Sequence, residues 1–168
     1  MVKIVQKDNP VLHQVAEEVP QELFGTQKIK EIINDMTQAL DKEDDGVALA
    51  APQIGLPYRI FIISNKVSNN VTDKANKPLI FINPTITKIS KKTFYTDEGC
   101  LSVRWLFGQV KRAEKATVEA YDLDGNKFSR SGSGLIAQIF QHEIDHLNGI
   151  LFTEKAKNLQ EYEPEGKK

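Results

Sequence analysis

Two of the chain's three histidines stand four residues apart in His142-Glu143-Ile144-Asp145-His146. On a helix that spacing puts both imidazoles on one face, a turn apart, where they can reach a single metal ion. Glu143 is offset from the pair and suited to hold a water beside the ion rather than to bind the ion itself. The competing reading is a charged helix face. The neighbours favour metal: Leu135, Ile136, Ile139, Phe140, Ile144 and Leu147 make the segment apolar on most sides. A buried histidine pair with a carboxylate between them is costly unless something satisfies it.

A catalytic centre of this kind needs a third ligand and one open position. The zinc-endopeptidase pattern with a third histidine six residues beyond His146 is not met, because Phe152 stands there. A downstream glutamate on a further helix fits no better, since Glu161, Glu163 and Glu165 lie in a polar end segment without apolar periodicity. The remaining soft ligand is Cys100, in Glu98-Gly99-Cys100-Leu101-Ser102. A lone cysteine is more often an inert core residue. Joined to two histidines it makes a Cys-His₂ set with a free fourth position, and a divalent ion would hold it as thiolate. Upstream, Gly46-Val47-Ala48-Leu49-Ala50-Ala51-Pro52-Gln53-Ile54-Gly55 is dense in small residues that let the backbone approach something, with the Gln53 amide nearby. The plainer reading of that stretch is a tight helix-to-strand connection carrying an exposed glutamine.

These residues need elements to hold them. Ile29, Ile32, Ile33, Met36 and Leu40 recur at three- and four-residue spacings, which predicts an amphipathic helix over 27–43. Apolar segments at 58–64, 79–82, 103–111 and 116–121 predict strands. The Asn/Asp-rich stretch 65–77, Pro84 and the Asp124-Gly125 hairpin turn separate them. A second helix is expected over about 135–148, between Gly134 and Gly149 and buried centrally. The fold class expected is therefore α+β: antiparallel strands packed around a central metal-bearing helix, with an N-terminal helix. A single domain is expected over residues 1–155, with 156–168 a polar tail, loose or helical. His13 is expected on the surface or in the N-terminal loop.

The chain has 168 residues, of which 40% are hydrophobic and 27% charged, enough for one domain with a real core and too apolar for disorder. Twenty-two Lys+Arg against 23 Asp+Glu leave a net charge of −1. That removes broad attraction to phosphate backbones and argues against a DNA-binding role. One cysteine makes no internal disulfide, and the longest aliphatic run, around Ile60–Ile63, is far short of a membrane span. A cytoplasmic protein without a membrane anchor is expected.

The Gln53 segment, Glu98–Ser102 and Gln141–His146, in this order, together resemble the peptide deformylase family. Asn9–Val19, Arg112–Lys115 and the Asp122–Gly125 turn are similar to it as well, so the likeness covers roughly residues 1–155. The resemblance implies that Cys100, His142 and His146 bind one divalent ion, Fe²⁺ in the cell, with Zn²⁺, Ni²⁺ or Co²⁺ as working alternatives. Glu143 would take a proton from the attacking water and pass one to the departing amine. Gln53 and the Leu101 backbone N–H would steady the oxyanion. The substrate implied is N-formylmethionine at the start of a nascent peptide, with formate as product. Val47, Ala48 and Leu49 would pair with the peptide backbone, and Leu135 would line the methionine pocket. Glu98 and Arg112 resemble the family's paired charges that brace the cysteine loop. A monomer with transient ribosome association is expected. Ala48 (usually glycine in the family), Gln138 (usually apolar) and Arg104 (commonly proline) depart from the pattern. All three leave the ligands and Glu143 untouched, so altered specificity or rate is expected, with the chemistry retained.

Overall fold

Strand β2, Ile60–Ile63, is buried at every position, so it has no solvated face. Successive side chains of a strand point to opposite faces. Ile60 and Ile62 pack with Ile29, Ile33, Met36 and Leu40 of helix α1 (Gln27–Asp41), whereas Phe61 and Ile63 pack with Phe140, Ile144 and Leu147 of helix α3 (Leu135–Leu147). The two faces explain why this segment reads as an uninterrupted apolar run rather than an alternating one.

The structure, a computed structural model, describes residues 1–68 and 77–162. Beyond α1 and α3 it contains one short helix, α2 (Asn65–Ser68), and strands β1 (Ala48–Ala50), β3 (Leu79–Ile89), β4 (Thr93–Glu98), β5 (Leu106–Ala113), β6 (Lys115–Tyr121), β7 (Lys127–Ser133) and β8 (Lys157–Glu161). They form two antiparallel sheets, one ordered β1-β2-β3-β6-β7 and the other β4-β5-β8. Helix α3 packs against strands of both sheets, so an α+β arrangement around a central helix is what the chain adopts. Phe61 and Phe81 stack at 4.5 Å, and the Phe140 ring meets Phe81 edge-on at 5.5 Å, seating α3 on the larger sheet. Arg59 closes the far end of that helix, donating to the Leu147 carbonyl at 2.9 Å and to Asn148 Oδ1 at 3.0 Å. Gly149 then turns away at φ 76, within 3 Å of the His13–Gln14 backbone had it carried a Cβ. No helix among the described residues is long and apolar enough to cross a membrane.

Three expectations change. Pro84 does not end its strand: β3 runs through it, because the proline sits at a register shift between Ile82 and Thr85 where no ladder N–H is required. The segment after Lys155 is neither loose nor helical over 157–161. It pairs as β8 with β5, held by backbone bonds although its side chains are exposed. The 65–77 stretch opens with α2, and residues 69–76 lie outside the described residues, as do Glu163, Glu165 and the last lysines. His13 is exposed, as expected, with its Nε2 2.6 Å from the Lys7 carbonyl.

Candidate metal centre

Helix α3 is the platform. Its i, i+4 spacing sets His142 and His146 one above the other, with ring centroids 5.0 Å apart. The loop after β4 delivers Cys100 to the same place, with its Sγ 3.3 Å from His146 Nε2. One ligand atom from each of Cys100, His142 and His146 lies within 4.8 Å of the other two. A soft sulfur and two imidazole nitrogens so gathered are a donor set for a transition-metal ion, with a fourth position left to the cleft.

Two buried polar atoms in this cluster have no hydrogen-bond partner, Glu143 Oε2 and His146 Nδ1. Buried polar atoms of native proteins are normally satisfied, so the orphaned Glu143 Oε2 beside three convergent ligand atoms fits a centre that takes an ion and water, whereas His146 Nδ1 is on the far side of its ring from Cys100. The electrostatics agree. Burial lowers His146 well below the usual imidazole range, which keeps it neutral as ligation requires. Burial opposes a charge on His142 too, but its hydrogen bonds to Cys100 and Glu98 outweigh this and raise its pKa well above the ordinary value. Desolvation lifts Glu143 to about 7, within the range of a proton shuttle at neutral pH.

A ring of side chains fixes these groups. Glu98 Oε1 meets His142 Nδ1 at 2.7 Å, and both Glu98 oxygens accept from Arg112, at 2.7 and 2.8 Å. Burial works against ionising Glu98, but the Arg112 and His142 bonds prevail and bring its pKa down to about 2. Thr96 adds a hydroxyl, and Arg112 reaches on to Asp145 at 2.7 Å, which Lys155 also pairs. The Glu98–Arg112 pair is therefore real and almost fully buried, and it braces the histidine as well as the cysteine loop.

Gln53 sits in a 3-10 turn (Ala51–Ile54) that follows β1. It is buried, not exposed. The Ala50 N–H donates to its Oε1 at 2.9 Å, which aims Nε2 at Ser102 Oγ (3.2 Å) and Cys100 Sγ (3.5 Å). A cleft of about 310 Å³ opens over the centre, lined among others by Val47, Ala48, Gln53, Cys100, Leu101 and Glu143. Leu135, half exposed, and Gln138 also line it, and the Gln138 amide is turned to the Asp97 carbonyl at 3.4 Å. Leu49 does not line the cleft, because strand alternation turns its side chain into the α1 core. Asp145, Thr96 and Ser102 were not foreseen as members of the site. Asp145 carried a local signal, standing beside His146, but its partner Arg112 is 33 residues away.

The profile of the polypeptide deformylase family matches residues 1–162. A peptide deformylase of Acidobacterium capsulatum is 40% identical over 149 residues, covering 89% of this chain and 82% of that protein. One from Neisseria meningitidis is 36% identical over 161 residues, covering 96% and 90%. The solved class I type b peptide deformylase of Acinetobacter baumannii with Met-Ala-Ser bound superposes with a TM-score of 0.82 at 31% identity, covering 92% of this chain and 98% of that one. A metal-competent Cys-His-His cluster at the base of a cleft, on a fold and sequence shared over nearly the whole length, leads to one conclusion: the chain belongs to the polypeptide deformylase family, metalloenzymes that deformylate nascent peptides.

Proposed function

We propose that this chain hydrolyses the formyl group from N-formylmethionine at the start of newly synthesised polypeptides, with Cys100, His142 and His146 as ligands of one divalent ion. The observation that carries the reading is the approach of those three ligand atoms to within 4.8 Å beside the orphaned Glu143 carboxylate. The ion, when bound, supplies Lewis acidity, polarising the formyl carbonyl and making water a nucleophile at neutral pH. Fe²⁺ is the ion expected in the cell, with Zn²⁺, Ni²⁺ or Co²⁺ as substitutes.

The chain's own residues do the rest. Glu143 Oε2 accepts a proton from the attacking water and delivers it to the departing amine nitrogen, so formate and a free N-terminus leave. The Gln53 amide and the Leu101 N–H steady the charge that develops on the formyl oxygen. Among the described residues β1 pairs only with β2, and the peptide extends along its other edge beside Val47 and Ala48. At Leu49 only the backbone takes part. Leu135 and Ile139 receive the methionine side chain. The reading includes a cytoplasmic monomer that meets nascent chains through transient contact with the ribosome.

Formate release from formyl-Met-Ala-Ser tests this, with casein cleavage and metal content followed in parallel on anaerobically purified protein. Formate with one bound metal and intact casein supports the proposal. Metal without formate overturns it.

A further inference from the structure

Arg104, unlike the other residues of the cysteine loop, makes its side-chain ion pairs with a distant segment. Its Nη1 donates to Asp45 Oδ2 at 2.7 Å, and its Nη2 donates to Asp45 Oδ1 at 3.1 Å and to Glu43 Oε2 at 2.7 Å. The guanidinium also lies 4.3 Å from the centroid of the Trp105 ring, which fixes its plane. The loop below it is held from the other side by Gln6. That residue's Nε2 donates to the Leu101 carbonyl at 3.0 Å, and its Oε1 accepts from the Arg104 N–H at 3.4 Å.

Asp45 and Arg104 both line the cleft, on segments that border it separately. Asp45 stands two residues before Val47, at the start of the wall that runs into β1. Arg104 stands four residues after Cys100, at the end of the wall that carries the metal ligand. The fork of bonds between them is therefore a tie from one wall to the other. It is a two-carboxylate network with one bidentate arm, the geometry in which a surface ion pair carries measurable energy. Lysine, a point charge without the fork, cannot reproduce it.

We propose that Arg104 is a positioning residue for substrate, tying the cysteine loop to the Glu43–Asp45 segment and so fixing the spacing between the metal ligand and the strand edge that receives the peptide. The inference rests on the deformylase reading of the cleft. It assigns Arg104 no contact with the reacting atoms: the tie is made before substrate arrives, and its benefit is a groove that need not be ordered on binding.

The test compares Arg104→Ala, Arg104→Lys and the double variant Glu43→Gln/Asp45→Asn, which leaves the arginine in place, with Lys92→Ala at a remote surface pair as control. The readouts are KM and kcat on formyl-Met-Ala-Ser, metal stoichiometry, and amide hydrogen exchange over residues 43–49. Arg104→Ala and the carboxylate pair variant are each expected to raise KM about five- to tenfold, the scale of a partly exposed network, with kcat within about twofold. Exchange over 43–49 quickens in both, Arg104→Lys falls between, and one metal stays bound. An unchanged or lowered KM in Arg104→Ala overturns the proposal. So does a raised KM in Arg104→Ala that the carboxylate variant fails to reproduce, which would mean that the arginine touches substrate directly. A wild-type chain that releases no formate sinks the deformylase reading instead, and the exchange comparison then still decides whether the tie exists.

Discussion

Glu98 holds His142 by the nitrogen that faces away from the cysteine: Oε1 lies 2.7 Å from Nδ1, which leaves Nε2 to turn toward Cys100. With Glu98 ionised, Nδ1 donates to it, which leaves Nε2 as the nitrogen that would hold an ion. The same carboxylate accepts two bonds from Arg112, whose third contact is Asp145, three residues along the helix from His142. One buried anion thus fixes the orientation of one proposed ligand, on α3, from the base of the loop that carries another.

Glu98→Gln keeps the shape and removes the charge. Metal affinity is expected to fall about 10- to 100-fold, the usual cost of losing a partner that orients a ligand, while the fold is retained. Competition against a chelator of known affinity measures it. Unchanged affinity would mean that the carboxylate does not set the imidazole.

The same residue shapes acid stability. The folded pKa of Glu98, about 2, lies below its ordinary value of 4.5, so the ionised form is stabilised by folding. Its contribution is complete above about 4.5 and is lost as pH falls toward 2. Urea midpoints of the chelator-treated chain are expected to drop through that window, and Glu98→Gln should flatten the drop. Parallel curves for the two proteins would contradict this.

Gly99 supports the neighbouring sulfur by having no side chain. A Cβ there would stand 2.6 Å and 2.8 Å from two atoms of the Phe107 ring, which itself packs edge-on against Tyr162 at 5.9 Å. Gly99→Ala is expected to shift the cysteine loop and weaken metal binding about tenfold, as loss of ligand support does. Adding Phe107→Ala removes the obstacle and should restore affinity. A double variant as weak as the single one would place the cause elsewhere.

Much of this was legible from spacing. The period of Ile29, Ile32, Ile33, Met36 and Leu40 predicts a helix over 27–43, and α1 occupies Gln27–Asp41. The second helix runs Leu135–Leu147, one residue short of the expectation. Four strands lie outside those expectations: β1 is only three residues long, β4 mixes two aromatics with polar residues, and β7 and β8 lack an apolar signal. β7 (Lys127–Ser133) alternates only between exposed and half-buried positions at a sheet edge, and β8 is exposed throughout. The types of the three proposed ligands stand out in sequence, as a histidine pair four apart and a lone cysteine, and the structure brings their atoms within 4.8 Å. What no spacing rule carries is the pairing of Arg112 with Asp145 or of Arg104 with Asp45, because each joins segments far apart in sequence.

Glu143→Gln separates ligation from chemistry. The amide cannot take a proton from water, so kcat is expected to fall about 10²- to 10⁴-fold with one metal still bound. Retained turnover would remove Glu143 from the proposed mechanism.

The central claim is that one sulfur and two imidazoles hold a single ion. X-ray absorption on the zinc-loaded chain tests it most directly. The account predicts one ion per chain, with one sulfur scatterer at about 2.3 Å and two imidazole nitrogens at about 2.0–2.1 Å, the sulfur vanishing in Cys100→Ser. A shell of nitrogen and oxygen alone in the unaltered chain, or a sulfur signal that survives Cys100→Ser, would contradict it.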